Sequence, residues 1–279
     1  RVQTAATLTK VVPGSMKGVG LSQGIFPTYS ELDPYRMAIA AIDLAIRGLI
    51  AIGIPLDAIA LLDNFCWCSS DEPERLWQLK QAAFGCRDGA IAFATPYISG
   101  KDSMYNDFSG FDADSRPVKV SVPPTLLITS IGIHPDVTTA VSMDAKFEGD
   151  LAYVVGETGE ELGGSEYLAH IGIEGGVVPP LDIEAAKMRY EKMTGAIAKG
   201  LIASAFPVAH GGLLIALAKV AIAGKIGMDL AMPGGMRPDR YLFSESPGRF
   251  VVTVAPSDRE AFEMTFGDGA HFLGRVGGA

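Results

Sequence analysis

A four-residue segment at 100–103, Gly-Lys-Asp-Ser, contains the residue types that bind phosphate. Glycine lets the backbone approach an anion closely, while the lysine, the hydroxyl and the neighbouring amides are hydrogen-bond donors. The segment is not a P-loop, because no spaced glycines precede Lys101. Taken alone, the pattern predicts either an anion site or a polar surface turn.

Two more segments have the composition of a binding site, but each also has a structural explanation. Gly211 and Gly212 could present backbone N–H groups to a phosphate at the start of a helix, or simply form a tight turn. Asp63 and Asn64 follow a buried apolar run, where they could hold a metal ion or an adenine edge, although Asx residues there commonly form turns. The local sequence leaves these alternatives open.

The cysteines and histidines form no recognisable cluster in the sequence. Cys66 and Cys68 have a spacing that invites a metal or redox interpretation, but no group of His or Cys completes four ligands. Three cysteines without a paired framework indicate a reducing, cytoplasmic compartment. The four histidines are scattered and fit no triad spacing, so each is expected to be structural: His134, His170, His210 and His271.

The predicted elements of the N-terminal part would position two of these segments at strand ends. Asp33 as N-cap and Pro34 as first residue predict a long helix, which is apolar almost all round and therefore buried. The predicted elements are a helix at 35–52, a strand at 58–62, a helix at 73–87, a strand at 90–97 that runs into a loop carrying residues 100–103, and a β-rich segment at 118–133 that two prolines interrupt.

The C-terminal part shows a more regular alternation of strands and helices. Its predicted elements are a strand at 151–155, helices at 183–204 and 213–223, a strand at 250–255 and a helix at 257–266. We therefore predict an α+β fold of two units, with an α+β domain at 1–140 and an α/β domain at 148–279.

The composition excludes several classes of protein. Hydrophobic residues make up 48% and charged residues 20% of the 279, so the chain is not disordered. A net charge of −9 provides no basic field, so neither nucleic acid nor a membrane is expected as a partner. The most apolar stretch, 37–62, contains Asp43, Arg47 and Asp57 and predicts a buried helix rather than a membrane span. The chain starts without Met or a signal peptide, and we expect it to begin within a longer protein.

Four longer strings, in this order along the chain, resemble one family. They are Leu-Asp-Asn-Phe at 62–65, Ile-Ser-Gly-Lys-Asp-Ser-Met-Tyr-Asn-Asp at 98–107, Glu-Leu-Gly-Gly-Ser-Glu-Tyr at 161–167 and Ser-Glu-Ser-Pro-Gly-Arg-Phe at 244–250. Together they resemble the second half of phosphoribosylformylglycinamidine synthase, the large synthetase subunit of purine biosynthesis, over nearly all 279 residues. The glycine turns are shared by the wider superfamily of aminoimidazole ribonucleotide synthetase.

The resemblance implies a fold and a reaction. In this family each half has an N-terminal α+β domain, whose strands help close a barrel with the other half, and a C-terminal α/β domain. The implied reaction uses ATP to phosphorylate the amide oxygen of formylglycinamide ribonucleotide, and ammonia from a glutaminase subunit or domain then displaces the phosphate. ATP and Mg²⁺ would be bound mainly by the first half of the synthetase, which is the implied partner.

The resemblance also assigns roles to four residues. Asp63 and Gly100 match positions that contact the nucleotide, and Ser103 matches a position that contacts the substrate phosphate. Lys101 replaces an Asn that binds magnesium in many shorter members, so we expect it to contact phosphate and not metal. Nothing matches the family's catalytic His or its metal-binding Glu, so this half is expected to hold no catalytic and no metal-binding residue.

Other positions depart from the family pattern. An auxiliary nucleotide site in large members uses a His-Asp-x-Ser-Asp-Gly-Gly string, which corresponds to 206–212 here, with Pro207 and Ala209 in place of the Asp and the Ser. Leu44 and Gly48 stand near positions of helix ligands, and a Pro replaces the Gln of a substrate-binding Glu-Ser-Gln string at 245–247. This auxiliary site is therefore expected to bind neither metal nor nucleotide.

Two other functions stay open from the sequence. One is a non-catalytic scaffold that dimerises and supports a partner. The other is a stand-alone kinase-like homodimer, which would need acidic metal ligands that residues 14–24 lack. Because the small N-terminal unit would leave strand edges and an apolar face open, we expect the isolated chain to form a homodimer through residues 55–133, burying more than about 1,000 Å².

Overall fold

The computed structural model describes residues 3–278, which form two five-stranded sheets, a separate hairpin and seven α-helices. The strands are β1 (Ala6–Thr9), β2 (Gly18–Ile25), β3 (Ile59–Cys66), β4 (Tyr97–Ser103), β5 (Phe108–Phe111), β6 (Pro117–Val120), β7 (Thr125–His134), β8 (Leu151–Val155), β9 (Ser204–Pro207), β10 (Met228–Leu230), β11 (Phe250–Val254) and β12 (Ala270–Val276). The helices are α1 (Pro34–Ala51), α2 (Pro73–Phe93), α3 (Glu166–His170), α4 (Ile183–Ala198), α5 (Gly212–Gly224), α6 (Pro238–Phe243) and α7 (Arg259–Phe266). None of these described helices is both long enough and apolar enough to cross a membrane.

The first sheet has the strand order β1-β2-β7-β3-β4 and is antiparallel except for its last pair. Strands β3 and β4 are parallel, which requires a crossover connection, and helix α2 provides it. The register of this pair places Asp63 beside Gly100 and Cys66 beside Ser103. The crossover thus brings two segments with binding-site composition onto neighbouring strands.

Helix α1 packs on both sheets and confirms the helix predicted at 35–52, with bounds Pro34–Ala51. The Asp33 carboxylate accepts a hydrogen bond from the Arg36 N–H, and nearly every residue of the helix is buried. The helix approaches β2 closely at Gly24, where a Cβ would overlap the carbonyl oxygen of Ala41.

The second sheet has the order β10-β12-β8-β11-β9 and is antiparallel throughout. Its inner strands β8 and β11 are fully buried and carry apolar residues on both faces. Tyr153 and Val252 belong to a core shared with α1 and α4, whereas Val154 and Val251 pack with α5 on the opposite face. Helices therefore cover both faces, and the chain has a mixed fold of helices layered on two sheets.

The strand predicted at 90–97 is wrong, because helix α2 continues to Phe93. The Ala-Ile-Ala-Phe run alternates in size as a strand does, but the buried positions Cys86, Gly89 and Phe93 recur at helical spacing. The helix ends at Ala94 in a left-handed conformation, with φ of 57°. Strand β4 follows and includes residues 100–103, which therefore lie on a strand and not in a loop.

Other boundaries also differ from the sequence prediction. Strand β3 continues through Asp63 and Asn64, so these residues lie within a strand and not at a turn. Helix α4 ends at Ala198, well before the predicted residue 204, and strand β9 begins at Ser204. Six strands were not predicted: β1, β2, β5, β9, β10 and β12. The glycines of β2 resemble turn residues in the sequence, but on the strand they face α1 and allow close packing.

The main hydrophobic core crosses the boundary predicted between the two domains. It includes Met37 and Ile46 of α1, Leu126 of β7, and Tyr190 and Phe250 of the C-terminal part. One sheet lies on each side of the boundary, but the division into domains at 1–140 and 148–279 stays a prediction.

Candidate functional site

The Asp63 carboxylate lies over Gly100 on the neighbouring strand. A Cβ at position 100 would come within 2.5 Å of Asp63 Oδ1, so a larger residue there would displace the carboxylate. Gly100 is exposed and Asp63 is half-buried. The pair therefore offers a ligand a hydrogen-bond acceptor together with close access to the backbone of β4.

Lys101 and Ser103 lie on the face of the sheet opposite Asp63 and Gly100, because successive side chains of a strand alternate. Lys101 is exposed, and the Ser103 hydroxyl donates a hydrogen bond to Asn106 Oδ1 at 3.4 Å. A cation and a hydroxyl on one accessible face suit a phosphate group. The structure thus brings the four predicted site residues together as two pairs on two faces.

Neutral groups line the interior side of Asp63. Burial raises the pKa of the Asp63 carboxyl, and the nearby Asp102 carboxylate also raises it. Towards helix α2, burial raises the pKa of the Cys86 thiol to about 12 and also raises the pKa of the Tyr97 hydroxyl. That hydroxyl is buried without a hydrogen-bond partner among the described residues. The exposed side of Asp63 is the one beside Gly100.

A side chain occupies the second predicted anion site, at Gly211 and Gly212. Glu245 Oε1 accepts hydrogen bonds from the N–H groups of Gly211, at 2.8 Å, and Glu166, at 2.9 Å, near the starts of α5 and α3. The Tyr29 hydroxyl donates to Glu245 Oε2 at 3.3 Å. Burial raises the pKa of Glu245 to about 7. The amide that could have bound phosphate therefore binds an internal carboxyl group.

A buried polar network joins α1 to the C-terminal part. Arg47 Nε donates to Asp43 Oδ2 at 2.6 Å, and Arg47 Nη1 donates to the carbonyl oxygens of Val208, at 2.6 Å, and Arg249, at 2.9 Å. The Tyr190 hydroxyl donates to the other carboxylate oxygen of Asp43. Arg47 Nε and Nη1 and both carboxylate oxygens of Asp43 thus have partners among the described residues. The network therefore positions α1 and is not available to a ligand.

The positions expected to form a degenerate auxiliary site supply no metal ligand. Pro207 ends strand β9, and Ala209 follows it. The His210 ring packs on Phe26 with ring centroids 4.6 Å apart, and burial lowers its pKa. Within residues 3–278, no three His, Cys, Asp or Glu side chains come together closely enough to hold a metal ion. The residues present do not fit Mg²⁺.

The cysteines and His134 have structural environments. All three thiols are free, with Cys68 and Cys86 buried. His134 Nε2 makes a hydrogen bond to the Ile52 carbonyl oxygen at 3.0 Å and therefore joins β7 to the end of α1. These contacts match the structural roles expected for these residue types.

Sequence reasoning missed Glu245, Asp43 and Arg47. The last two do carry a signal, since opposite charges four residues apart in an otherwise apolar helix predict a buried pair. Glu245 belongs to the string at 245–247 that the resemblance marks, but its internal role could not be predicted, because the amides that it binds lie 34 and 79 positions away in the sequence.

Comparison with known proteins finds relatives of the whole chain. Residues 148–279 match the family "AIR synthase related protein, C-terminal domain". The chain is 35% identical over 255 residues to phosphoribosylformylglycinamidine synthase subunit PurL of Thermococcus sibiricus, which covers 90% of this chain and 34% of that protein. The same subunit of Methanocaldococcus jannaschii is 33% identical over 269 residues, covering 94% of this chain and 36% of that protein. The chain thus spans about a third of the length of these curated relatives.

Solved structures share the fold. Thermotoga maritima PurL complexed with FGAR matches with a TM-score of 0.76 and 18% sequence identity, over 99% of this chain and 44% of that chain. The match includes both sheets, so their arrangement is common to the two proteins.

Proposed function

Because residues 148–279 match the C-terminal domain of AIR synthase related proteins and the chain is 35% identical to a subunit PurL, we propose that it is the C-terminal half of a phosphoribosylformylglycinamidine synthetase. The proposed enzyme converts formylglycinamide ribonucleotide, ATP and ammonia to the amidine in purine biosynthesis, and glutamine is the source of the ammonia. The pairing of Asp63 with Gly100 on neighbouring strands is the observation that supports the assignment of individual residues in this proposal. Relatives solved with FGAR, ADP and ATP support it.

In this proposal Asp63 and Gly100 contact the nucleotide, whereas Ser103 and Lys101 contact the substrate phosphate. The two pairs lie on opposite faces of the same strands, so two ligand groups can reach them without competing for space. The Lys101 ammonium group can offset the charge of the substrate phosphate, and the Ser103 hydroxyl can donate a hydrogen bond to it.

The remaining chemistry belongs to partners. The described residues hold no cluster that fits a metal ion, so Mg²⁺, most of the ATP contacts and the catalytic residues are assigned to the first half of the synthetase. That half is the first partner, and a glutaminase subunit or domain is the second. Residues 1–140 would form the domain that contributes to the shared barrel, and residues 148–279 the C-terminal domain. Free thiols are typical of a cytoplasmic protein.

A non-catalytic scaffold is the alternative function. It is favoured by Pro207 and Ala209, which supply no carboxylate, and by Glu245, which occupies the Gly211 amide. A scaffold would need only the packing surfaces of the chain. The contributions of Asp63 and Ser103 to activity therefore distinguish the two functions.

Segment exchange tests the proposal. This chain would replace the matching third of Thermococcus sibiricus PurL, and amidine formation would be measured with ATP, Mg²⁺ and ammonium. We expect an active chimera in which Asp63→Asn raises the KM for ATP and Ser103→Ala raises the KM for formylglycinamide ribonucleotide, each by about tenfold. Asp57→Asn and Ser109→Ala, which change exposed residues outside the site, are the matched controls. An active chimera that tolerates both site substitutions would favour the scaffold.

A further inference from the structure

A cavity of about 490 Å³ lies between the two sheets, away from Asp63 and Gly100. Gln23 of β2 and Thr129 of β7 form part of one wall, while Phe206 of β9 forms part of the opposite wall. Its volume is within the range of small-molecule binding sites. A ligand in this cavity would contact both sheets at once.

The charge in this cavity comes from one side chain. Among the described residues that line it, Lys219 of α5 is the only one with a formal charge, and no carboxylate is present. His210 also lines the cavity, but burial lowers its pKa and favours the neutral ring. Lys219 Nζ lies 5.7 Å from the centroid of the Phe206 ring, which holds the ammonium group at the wall. The cavity therefore attracts an anion.

The other walls combine apolar residues with uncharged polar ones. Leu21, Ile25, Leu44 and Pro207 contribute hydrocarbon surface, and uncharged amide and hydroxyl groups, such as those of Gln23 and Thr129, can form hydrogen bonds. A single cation beside hydrocarbon fits an anion that has an apolar body. It does not fit a magnesium nucleotide, because Mg²⁺ is bound through carboxylate oxygens and the described lining has none.

We propose that this cavity binds a small organic anion, a carboxylate or a phosphate monoester with an apolar body, through Lys219 and without a metal ion. The anionic group lies against Lys219 Nζ, and the apolar body lies against Ile25 and Leu44. Such a ligand is distinct from the nucleotide and from the substrate phosphate assigned to the edge of the first sheet. Because it binds only the folded arrangement of both sheets, it also stabilises the chain against unfolding.

Calorimetric titration of the 279-residue chain tests this site with hexanoate and hexyl phosphate as probes and hexanol as the uncharged control. We expect one site per chain for at least one anion, no comparable binding of hexanol, and no competition from Mg-ADP. The anion that binds more tightly identifies the headgroup. If neither anion binds, if hexanol binds equally well, or if Mg-ADP displaces the anion, the proposal is overturned.

Substitutions locate the binding. Lys219→Gln is expected to weaken anion binding by about tenfold, because a charge-assisted hydrogen bond is lost, whereas Lys219→Arg keeps it. Lys192→Gln makes the same change of charge on an exposed position of α4 and is the control. Thermal unfolding shows that each variant is folded. Equal affinity in the Lys219→Gln and Lys192→Gln variants would mean that the anion binds elsewhere, and it would refute the assignment.

Discussion

At the scale of the residue, Asp63 and Glu245 are carboxyl groups with raised pKa values in different surroundings. Asp63 lies beside the exposed Gly100, so a ligand can approach it. Glu245 lies in the interior and already accepts hydrogen bonds from the N–H groups of Gly211 and Glu166. Accessibility, rather than pKa, therefore separates the proposed binding residue, Asp63, from the structural one, Glu245.

Glu245→Gln should remove part of the dependence of stability on pH. Burial raises the pKa of Glu245 from 4.5 to about 7, so folding disfavours the ionised form. The protonated Glu245 side chain makes its full contribution to the free energy of unfolding below pH 4.5. This contribution is lost as the pH rises to about 7, and its total is on the order of 3 kcal/mol. The Gln side chain keeps an oxygen acceptor but carries no charge. Urea unfolding should therefore show that the free energy of unfolding of the variant increases relative to that of the wild type through this pH range.

The exposed Glu191 of α4 provides the control for this experiment. Glu191→Gln should leave the pH profile of the free energy of unfolding unchanged. Parallel profiles for the wild type and Glu245→Gln would contradict the assignment of the titration to Glu245.

Gly100→Ala should destabilise the chain through Asp63. The added Cβ would meet Asp63 Oδ1, and relief of that overlap is expected to cost about 1 to 3 kcal/mol. In an Asp63→Ala background the same change should cost about 1 kcal/mol less, which a double-mutant cycle by urea unfolding measures. Gly195→Ala, where a Cβ in helix α4 meets nothing within 4 Å, should instead stabilise by about 1 kcal/mol. Additive effects at positions 63 and 100 would argue against their contact.

At the scale of the element, helix α2 decides where the candidate site lies. It joins two parallel strands, and its end at Ala94 sets the start of β4 and hence the register of Gly100 against Asp63. Ala94 has a positive φ, which costs an alanine more than a glycine.

Ala94→Gly should therefore stabilise the chain by about 1 kcal/mol, measured by urea unfolding. Ala83→Gly at an exposed position within the same helix should have the opposite sign and cost about 1 kcal/mol. A loss of stability in Ala94→Gly would show that backbone strain at the end of the helix is not significant.

The same elements show what the sequence could and could not predict. Helix α1 was predictable because its cap residues and its apolar composition agree with its burial. The end of α2 was not, since its last apolar residues alternate like a strand and only tertiary packing selects the helix. The grouping of Asp63 with Gly100 was available from the resemblance, but the separation of Lys101 and Ser103 onto the other face depends on β4 being a strand. Lys219 was not predictable, because its importance comes from the cavity around it.

At the scale of the whole molecule, the first sheet has helices on one face and exposed apolar residues on the other. Leu21 of β2 is 44% exposed and Ile133 of β7 is 45% exposed, and both side chains point away from α1. Leu21 lies outside the interface expected at 55–133, so the apolar face is wider than the sequence indicates. In the proposed synthetase the first half would cover it.

The isolated chain should dimerise through this face, because an isologous contact needs only one such patch. Sedimentation at micromolar concentration should give a dimer for the wild type and a monomer for Leu21→Glu/Ile133→Glu. Met264→Glu, at a position of α7 that is 74% exposed, should remain a dimer. A monomeric wild type, or a dimer that persists in the double variant, would refute this interface.

The hydrogen bonds of Arg47 make the two parts of the chain depend on each other. Its guanidinium joins Asp43 of α1 to the carbonyl groups of Val208 and Arg249 near the second sheet. Division of the chain between residues 140 and 148 would leave one part with a buried charge lacking its acceptors and the other with an uncovered apolar face. Loss of either part from a gene should therefore leave a product that folds poorly, although each sheet resembles a separate module.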